Sequence, residues 1–226
     1  MTAWSLCTAS DAHAEFGGSV SLNSDARYRG HSMSDEQPAL SVDANYDDPS
    51  GVYVGGSVVA GAPLDEDPEV LQAIEYAGYA RRLSPDVSVD VGATNTSYTG
   101  YYRGSPATQY QEVYAGVSLG LLGAYVYYAP DYFGQGDSTL YAELKAAFRP
   151  APNWRLNGRV GLLNKIGGPR TEQDQGPQYD LSIGISREFK GGDLHAAWTY
   201  MGPHPDFRDY RPLSRGALVV GATWFF

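Results

Sequence analysis

The chain has 226 residues, a net charge of −10, 42% hydrophobic residues, 27 glycines and 18 tyrosines. An acidic chain without basic patches makes a poor nucleic-acid binder, and no run of residues approaches the roughly 18 to 20 apolar positions that a spanning helix needs. The length allows one large all-β domain or two small domains. Because Tyr, Gly, Val and Ala fall mostly in short alternating runs, the composition indicates a β protein.

The first fourteen residues, MTAWSLCTASDAHA, end like a secretory signal. Ala12-His13-Ala14 has the small-x-small pattern of a signal-peptidase site, which would make Glu15 the first mature residue. Because no positive region precedes it and the apolar stretch is short, we interpret residues 1–14 as a signal remnant that is truncated at its start. The alternative is a disordered cytosolic leader. Cys7 lies in this segment, so the mature chain, 15–226, would hold neither a disulfide nor a thiol metal site.

From Glu15 onward, alternating apolar and polar residues predict twelve strands. The predicted strands cover residues 16–29, 37–47, 51–61, 70–82, 86–100, 109–119, 122–130, 138–149, 154–166, 178–190, 193–201 and 215–226. Every other connection is tight and rich in Gly, Pro, Asn or Asp, as hairpin turns are: 47–51, 84–86, Gly120, 149–153 and 190–193. The remaining connections are long and polar: 31–37, 62–69, 103–108, 131–137, 167–176 and 202–213.

Short turns at one end and long polar loops at the other are typical of a bacterial outer-membrane β-barrel. We therefore predict an all-β fold, a transmembrane antiparallel up-and-down barrel of twelve strands with short periplasmic turns and longer extracellular loops. A soluble β-sandwich, which would hide its apolar faces between two sheets, is the alternative. The barrel interpretation places the protein in the outer membrane of a Gram-negative bacterium.

Aromatic side chains at the ends of the apolar faces favour the barrel over the sandwich. They predict two girdles at two membrane interfaces. The residues predicted for the short-turn side are Tyr46, Phe148, Trp154, Phe189, Trp224 and Phe226, and those for the long-loop side are Tyr28, Tyr128, Tyr179 and Tyr200.

The last strand, GALVVGATWFF, has one continuous apolar face that ends in phenylalanine. A terminal Phe with alternating apolar residues is the recognition signal for barrel insertion, so we expect barrel-assembly machinery as a partner. The residues of this signal are Leu218, Val220, Ala222, Trp224 and Phe226.

Five segments carry a family resemblance. They are, in chain order, SDARYRGHSMSDEQPALSVDANYDDPSGVYVGGSVVA (24–60), EYAGYARRLSPDVSVDVG (75–92), QEVYAGVSLG (111–120), YAPDYFG (128–134) and STLYAELKAAF (138–148). Within the first segment the match rests on Arg29-Gly30, Gln37-Pro38-Ala39, Tyr46, Gly51, Tyr53 and Gly55. The chain resembles the TorF-like porins, a proteobacterial outer-membrane family. The resemblance implies an outer-membrane β-barrel with no catalytic residues, and it does not extend to ligand choice.

Charged residues on the polar faces of the strands are predicted to point into the lumen. Because unpaired buried charges are costly, the interior must be wet or densely paired. A twelve-strand barrel falls between side-chain-filled barrels and open porins, so the lumen is either a narrow pore or a packed plug. The pore-lining candidates are Asp43, Glu75, Asp90, Glu112, Glu143, Lys145, Arg149, Arg155, Arg159 and Glu188.

Four of these candidates form a predicted basic group: Lys145, Arg149, Arg155 and Arg159. A turn at 149–153 that pairs position 149 with 155 would place 145 opposite 159, with Glu143 and Glu188 available to interleave. A basic stripe that faces an acidic stripe would orient small polar solutes. The same residues would equally form a salt-bridged network that stiffens a closed lumen, which is the more ordinary arrangement.

Catalysis and metal binding have weak signals. His195 is predicted to point inward without a serine beside it on its own strand, so a structural role is favoured over that of a catalytic base. His31 and His204 fall in loops. The acidic loop 64–69 lacks the ordered ligand spacing of a calcium loop, and a solvated loop is favoured. We predict no catalytic residue, no cofactor and no metal site.

These patterns favour a porin-like channel for passive diffusion of small hydrophilic solutes or ions. The alternative is a closed structural or interaction barrel whose acidic loops bind lipopolysaccharide or an external partner, and a barrel lipid hydrolase is a distant third. Segments 202–213 and 167–177 are the candidates for a loop that folds into the pore. The sequence leaves the oligomeric state open.

Overall fold

The computed structural model describes residues 14–62, 67–99, 108–168, 176–202 and 214–226. Twelve antiparallel strands form a closed barrel, and a two-stranded hairpin lies inside it. Of the predicted signal segment, 1–14, residues 1–13 lie outside the described residues. Among the described residues, no helix is long and apolar enough to span a membrane.

The elements follow one another in chain order. The strands are β1 (Glu15–Asn23), β2 (Arg27–Tyr28), β3 (His31–Ser32), β4 (Ala39–Asp47), β5 (Val52–Gly61), β6 (Glu69–Ser84), β7 (Val87–Tyr98), β8 (Thr108–Leu119), β9 (Leu122–Ala129), β10 (Ser138–Ala151), β11 (Trp154–Gly167), β12 (Gln178–Phe189), β13 (Gly192–Met201) and β14 (Gly216–Phe225). A short 3₁₀ helix (Tyr132–Gly134) connects β9 with β10. The prediction of a twelve-strand antiparallel barrel is confirmed, and β2 and β3 form the inner hairpin.

Each barrel strand pairs with its neighbour in sequence, and β1 pairs with β14 to close the cylinder. At the seam, the backbone amides of Gly18 and Phe226 each donate to the other residue's carbonyl oxygen at 3.0 Å. The tight connections all lie at one end, where Asn153 and Gly191 supply the positive φ angles, 64° and 81°, that short hairpin turns require. We call this end the short-turn end and the opposite end the long-loop end.

The outward face of the barrel is covered with exposed apolar side chains. The six aromatic residues predicted for the short-turn girdle are all exposed, from Trp154 at 37% to Phe226 at 70%. At the long-loop end, Tyr128 and Tyr179 are exposed, and the ring of Tyr200 lies 6.2 Å from that of Tyr179. The two girdles therefore form, with the exception of Tyr28.

Tyr28 and the predicted strand 16–29 require a correction. The first strand ends at Asn23, and the chain then turns into the lumen instead of continuing along the wall. Tyr28 belongs to the inner hairpin and packs against a buried aromatic cluster, not against the outer surface. Arg29 and Gly30, whose φ angles are 48° and 84°, form the turn between β2 and β3, and positive φ at both positions is incompatible with a strand that continues to residue 29.

Tyrosines on the inner wall pack over glycines on the neighbouring strand. Tyr114 pairs across β7 and β8 with Gly92, and a Cβ at Gly92 would lie 2.6 Å from the Tyr114 hydroxyl oxygen and 2.6 Å from the Ala77 carbonyl oxygen. Tyr53 covers Gly78 in the same way on β5 and β6. Glycine is thus required where a large ring fills the lumen from the adjacent strand.

A valine at position 92 should therefore destabilise the barrel. We expect Gly92→Val to lower the free energy of unfolding by about 1–3 kcal/mol, the usual cost of overpacking. Urea unfolding of protein refolded in lipid vesicles measures this change. Ala146→Val, which adds bulk to an outward-facing position on β10, is the control and should have little effect. Equal stability of the two variants would contradict the packing argument.

Candidate functional site in the lumen

The segment from Ser24 to Pro38, which we call the inner loop, is anchored by the buried carboxylate of Asp25. Arg27 Nε donates to Asp25 Oδ2 at 2.5 Å, while the hydroxyls of Ser32 and Ser34 donate to Oδ1 at 2.6 and 3.2 Å. One buried carboxylate thus organises both sides of the hairpin, because its negative charge is satisfied by three donors from the same loop.

Arg29 fastens the tip of the inner loop to the barrel wall. Its Nη1 and Nη2 donate to Oε1 and Oε2 of Glu112 at 3.0 and 2.7 Å, and both side chains are buried. The guanidinium carbon lies 4.0 Å from the centre of the Tyr141 ring. A two-pronged ion pair that also stacks on an aromatic face is a specific attachment, since only arginine offers this geometry.

A second segment packs beside the inner loop. Tyr132 and Phe133 of the 3₁₀ helix contact Tyr110, with ring centres 4.6 and 4.9 Å away, and Phe133 also contacts Tyr98. Burial raises the pKa of Tyr28 and Tyr132, so both phenols stay neutral. In the described part of the chain, the long-loop half of the lumen is therefore densely packed.

A cavity of about 20 Å³ remains between the inner loop and the wall of β10, β12 and β13. Arg29, His31, Tyr141 and Asp180 are among its lining residues. This volume is about what one water molecule requires. The inner loop therefore leaves a polar gap of one water's width at this position.

The predicted basic group lies on the inner wall of β10 and β11, and acidic residues separate its members. Lys145 pairs in register with Arg159, and Glu143 contacts both, at 2.5 and 3.3 Å. Arg159 also contacts Asp180 at 2.8 Å. These like charges can occupy adjacent positions because carboxylates lie between them.

Glu188 on β12 likewise lies between two basic residues near the short-turn end. Its Oε1 accepts from Arg149 at 3.2 Å and also from Arg155. Arg149 is the most open of the four basic residues, at 55% exposure, whereas Lys145, Arg155 and Arg159 are 20% to 26% exposed. The short-turn half of the lumen is thus charged and partly solvated, in contrast to the packed long-loop half.

Asp43 and Asp90 lie on β4 and β7, away from the basic strands, and their partners are hydroxyl groups. The Tyr53 hydroxyl donates to Asp90 Oδ1 at 2.5 Å and also contacts the Tyr114 hydroxyl. Ser19 Oγ donates to Asp43 Oδ2 at 3.4 Å. The lumen therefore has a wall of acidic residues and tyrosines and a wall of paired basic residues.

The prediction that Glu75 lines the pore is wrong. Leu71 is an extra residue in β6, because the register changes from Ala60 opposite Val70 to Val59 opposite Gln72. Leu71 and Gln72 are both buried, so the alternation reverses beyond them, and Glu75 points outward with an exposed side chain. Glu112 does point inward, but it lies under Arg29 and is only 2% exposed.

His195 points inward and both ring nitrogens are occupied. Nδ1 lies 3.0 Å from Asp193 Oδ1, and Nε2 lies 2.8 Å from Asn23 Oδ1. Ser186 is its register partner on β12, yet the nitrogen that would activate a serine is bound to Asn23. Among the described residues, no three His, Cys, Asp or Glu side chains gather so as to hold a metal ion.

Sequence reasoning missed the inner loop, and with it Arg29, Tyr132 and Asp180. The segments predicted to fold inward, 202–213 and 167–177, lie largely outside the described residues, as does most of the acidic loop 64–69. Strand alternation does put Asp180 on the inward face of β12, so the sequence pattern could have identified Asp180 as a lumen residue. Strand alternation could not indicate the contact of Arg29 with Glu112, because the two residues are 83 positions apart.

A family model described as "Bacterial protein of unknown function (Gcw_chp)" matches residues 8–226. This match does not carry the TorF-like name, so that finer identity stays a prediction. Among curated proteins, none matches the chain.

Two solved porin structures are similar to the barrel. One, described as the KdgM porin, has a TM-score of 0.54 and 11% identity, and the match covers 93% of this chain and 99% of that one. The other, described as the NanC porin, has a TM-score of 0.56 and 10% identity, with coverage of 93% and 99%. At this identity the likeness establishes the shared barrel fold.

Loss of the Arg29–Glu112 ion pair should release the inner loop. We expect Glu112→Gln to reduce the free energy of local opening of this loop by about 3–5 kcal/mol, because a buried arginine loses its counter-charge. Hydrogen exchange at the amides of Met33 and Gln37, both bonded within the loop, reports the opening. Glu36→Gln, at the exposed rim of the same loop, is the control and should cost about 1 kcal/mol or less. Unchanged exchange in Glu112→Gln would show that other contacts hold the loop.

Proposed function

We propose that this chain, which belongs to the Gcw_chp family, is a porin-like channel of the bacterial outer membrane through which small hydrophilic solutes diffuse passively. The observation that carries the proposal is the reversal of polarity across one wall. The outer surface is apolar between two aromatic girdles, whereas the inner surface of β10–β12 carries partly solvated charges. Lipid outside and water inside are the surroundings that such a wall requires.

The proposed orientation of the barrel in the membrane follows from the position of its short turns. In outer-membrane barrels the short turns are periplasmic, so the solvated charged half would face the periplasm and the inner loop would narrow the extracellular half. The acidic wall with Asp43 and Asp90 and the basic wall with Arg155 and Arg159 produce a transverse field. Such a field orients dipolar solutes, and charge at the narrowest ring sets ion preference.

The similar structures support a channel but not a particular solute. Both are described as porins, and one KdgM structure is described as a complex with disordered oligogalacturonate. We extend only the general role to this chain. We also propose that the apolar face of the last strand, which ends at Phe226, is the part that barrel-assembly machinery recognises, and that the outer surface contacts membrane lipids and lipopolysaccharide.

A closed structural barrel is the second candidate, and the packing of the inner loop favours it. Arg29, Glu112 and the tyrosines around them fill the long-loop half among the described residues. In this alternative, the charged residues form a rigid core and the acidic loops bind lipopolysaccharide or an external partner. A barrel lipid hydrolase is the third candidate, which the hydrogen bonds of His195 to Asp193 and Asn23 disfavour.

Single-channel recording in a planar bilayer, with a salt gradient across it, tests the proposal on protein refolded from residues 15–226. A pore gives steady unitary currents. Silence from protein shown to be folded and inserted would reject the channel and leave the closed barrel.

The double variant Arg155→Glu, Arg159→Glu should shift the reversal potential toward cation selectivity. It replaces two inward positive charges with two negative ones beside Glu143 and Glu188. The neutral pair Arg155→Gln, Arg159→Gln should shift it less. Arg187→Gln is the matched control, because Arg187 lies on the outer face with its guanidinium carbon 5.4 Å from the Trp154 ring. An unchanged potential in the double variant would place the constriction elsewhere.

A further inference from the structure

We infer that the outer wall formed by β5 to β8 is the contact surface for a second copy of this chain. Three polar side chains lie side by side on this wall, on three neighbouring strands, and we call them the polar row: Glu75, Asn95 and Gln111. Asn95 Nδ2 donates to Glu75 Oε2 at 3.0 Å. The inference goes beyond the proposed channel, although it shares the premise that this surface lies in a membrane.

Glu75 lies in the middle of the surface that would face hydrocarbon. The outward positions of β6 from the long-loop end are Val70, Ala73, Glu75, Ala77 and Tyr79, which the register with β5 and β7 defines. Among these outward positions, the Glu75 carboxylate is therefore two places from the apolar Val70 on the long-loop side and two places from the exposed Tyr79 on the short-turn side. A carboxylate at this depth is unfavourable against lipid tails, so a protein partner is the more favourable neighbour.

The outward side chains next to Glu75 and Asn95 on β6 and β7 are small. Gly56 is the outward residue opposite Glu75 on β5, and Ala73, Ala77 and Ala93 surround Glu75 and Asn95 on β6 and β7. Small residues let two protein walls approach closely enough for polar groups to meet.

The wall on the other side of the barrel is different in character. Its outward positions carry large apolar side chains that suit lipid: Leu144, Val160, Ile183, Trp198 and Leu218, each 47% to 67% exposed. The contrast between the two walls shows that the polar row is a local feature and not a property of the whole outer surface.

A second copy supplies the partner that the polar row needs. Lipid phosphates are unsuitable because they carry the same sign of charge as Glu75 and lie at headgroup depth. Two copies inserted in the same direction are related by a two-fold axis along the membrane normal, so each presents the same polar row to the other. Side-chain amides both donate and accept hydrogen bonds, so Asn95 and Gln111 of one copy can donate to the Glu75 carboxylate of the facing copy.

The size of the wall agrees with this occupant. The wall spans four strands at about 4.8 Å spacing and a membrane band about 25 Å tall, which gives roughly 500 Å² per copy. Two such faces bury roughly 1,000 Å², the size at which a specific interface becomes credible.

Thiol cross-linking tests the contact. In a Cys7→Ser background, Ala93→Cys places a thiol beside Asn95, and Ala196→Cys on β13 places the same change on the opposite wall. A short bis-maleimide is applied to outer membranes that contain the full chain and to refolded protein in vesicles. We expect a product of twice the chain mass from Ala93→Cys and at least tenfold less from Ala196→Cys. Equal yields, or a product with a different protein, would overturn the proposal.

Removal of the polar row gives a second, independent result. The variant Glu75→Leu, Asn95→Leu, Gln111→Leu, made in the Ala93→Cys background, should fold, as heat-modifiable gel mobility reports, and should lose at least tenfold of the cross-linked dimer. A folded triple variant that still dimerises fully would overturn the role of the row. Conductance recorded on the same preparations separates the two proposals, since a silent dimer rejects only the channel and a conducting monomer rejects only the interface.

Discussion

Closure of the sheet between β1 and β14 is the constraint on which the rest of the structure depends. A spanning sheet must leave no edge, because each unpaired backbone group in hydrocarbon is costly. The seam is complete from Asn23 to the last residue, where Gly18 and Phe226 exchange two backbone hydrogen bonds. Closure also fixes what each side chain faces, since residues of one parity must point into a lumen of fixed width and those of the other parity must point out.

Within that lumen, twelve strands enclose more space than their own side chains fill, and the chain uses two solutions. At the long-loop half, the inner loop brings Arg29 to Glu112, and tyrosines complete the packing. At the short-turn half, charges remain partly solvated and are paired through Glu143 and Glu188. The pairing allows like charges to share a wall, and the solvation explains why this half can carry them.

The outer surface has the opposite polarity to the charged part of the lumen. Apolar side chains cover most of it, the exceptions lie on β6 to β8, and one of them, Glu75, results from the inserted residue Leu71. The bulge places Leu71 and Gln72 together inside, and so turns Glu75 outward next to Asn95. A single backbone irregularity thus adds a carboxylate to a wall on which Asn95 and Gln111 already point outward.

The sequence by itself determined the barrel, its twelve strands, the alternation of long and short connections and the inward direction of the basic group. These follow from residue period and turn chemistry, which are local properties. Only the tertiary structure decided the rest. The inner loop turns inward because Arg29 meets Glu112, 83 residues away. Glu75 faces outward because a bulge in the pairing of β5 with β6 reverses the alternation. Both depend on contacts between strands, and a period of two within one strand contains no information about them.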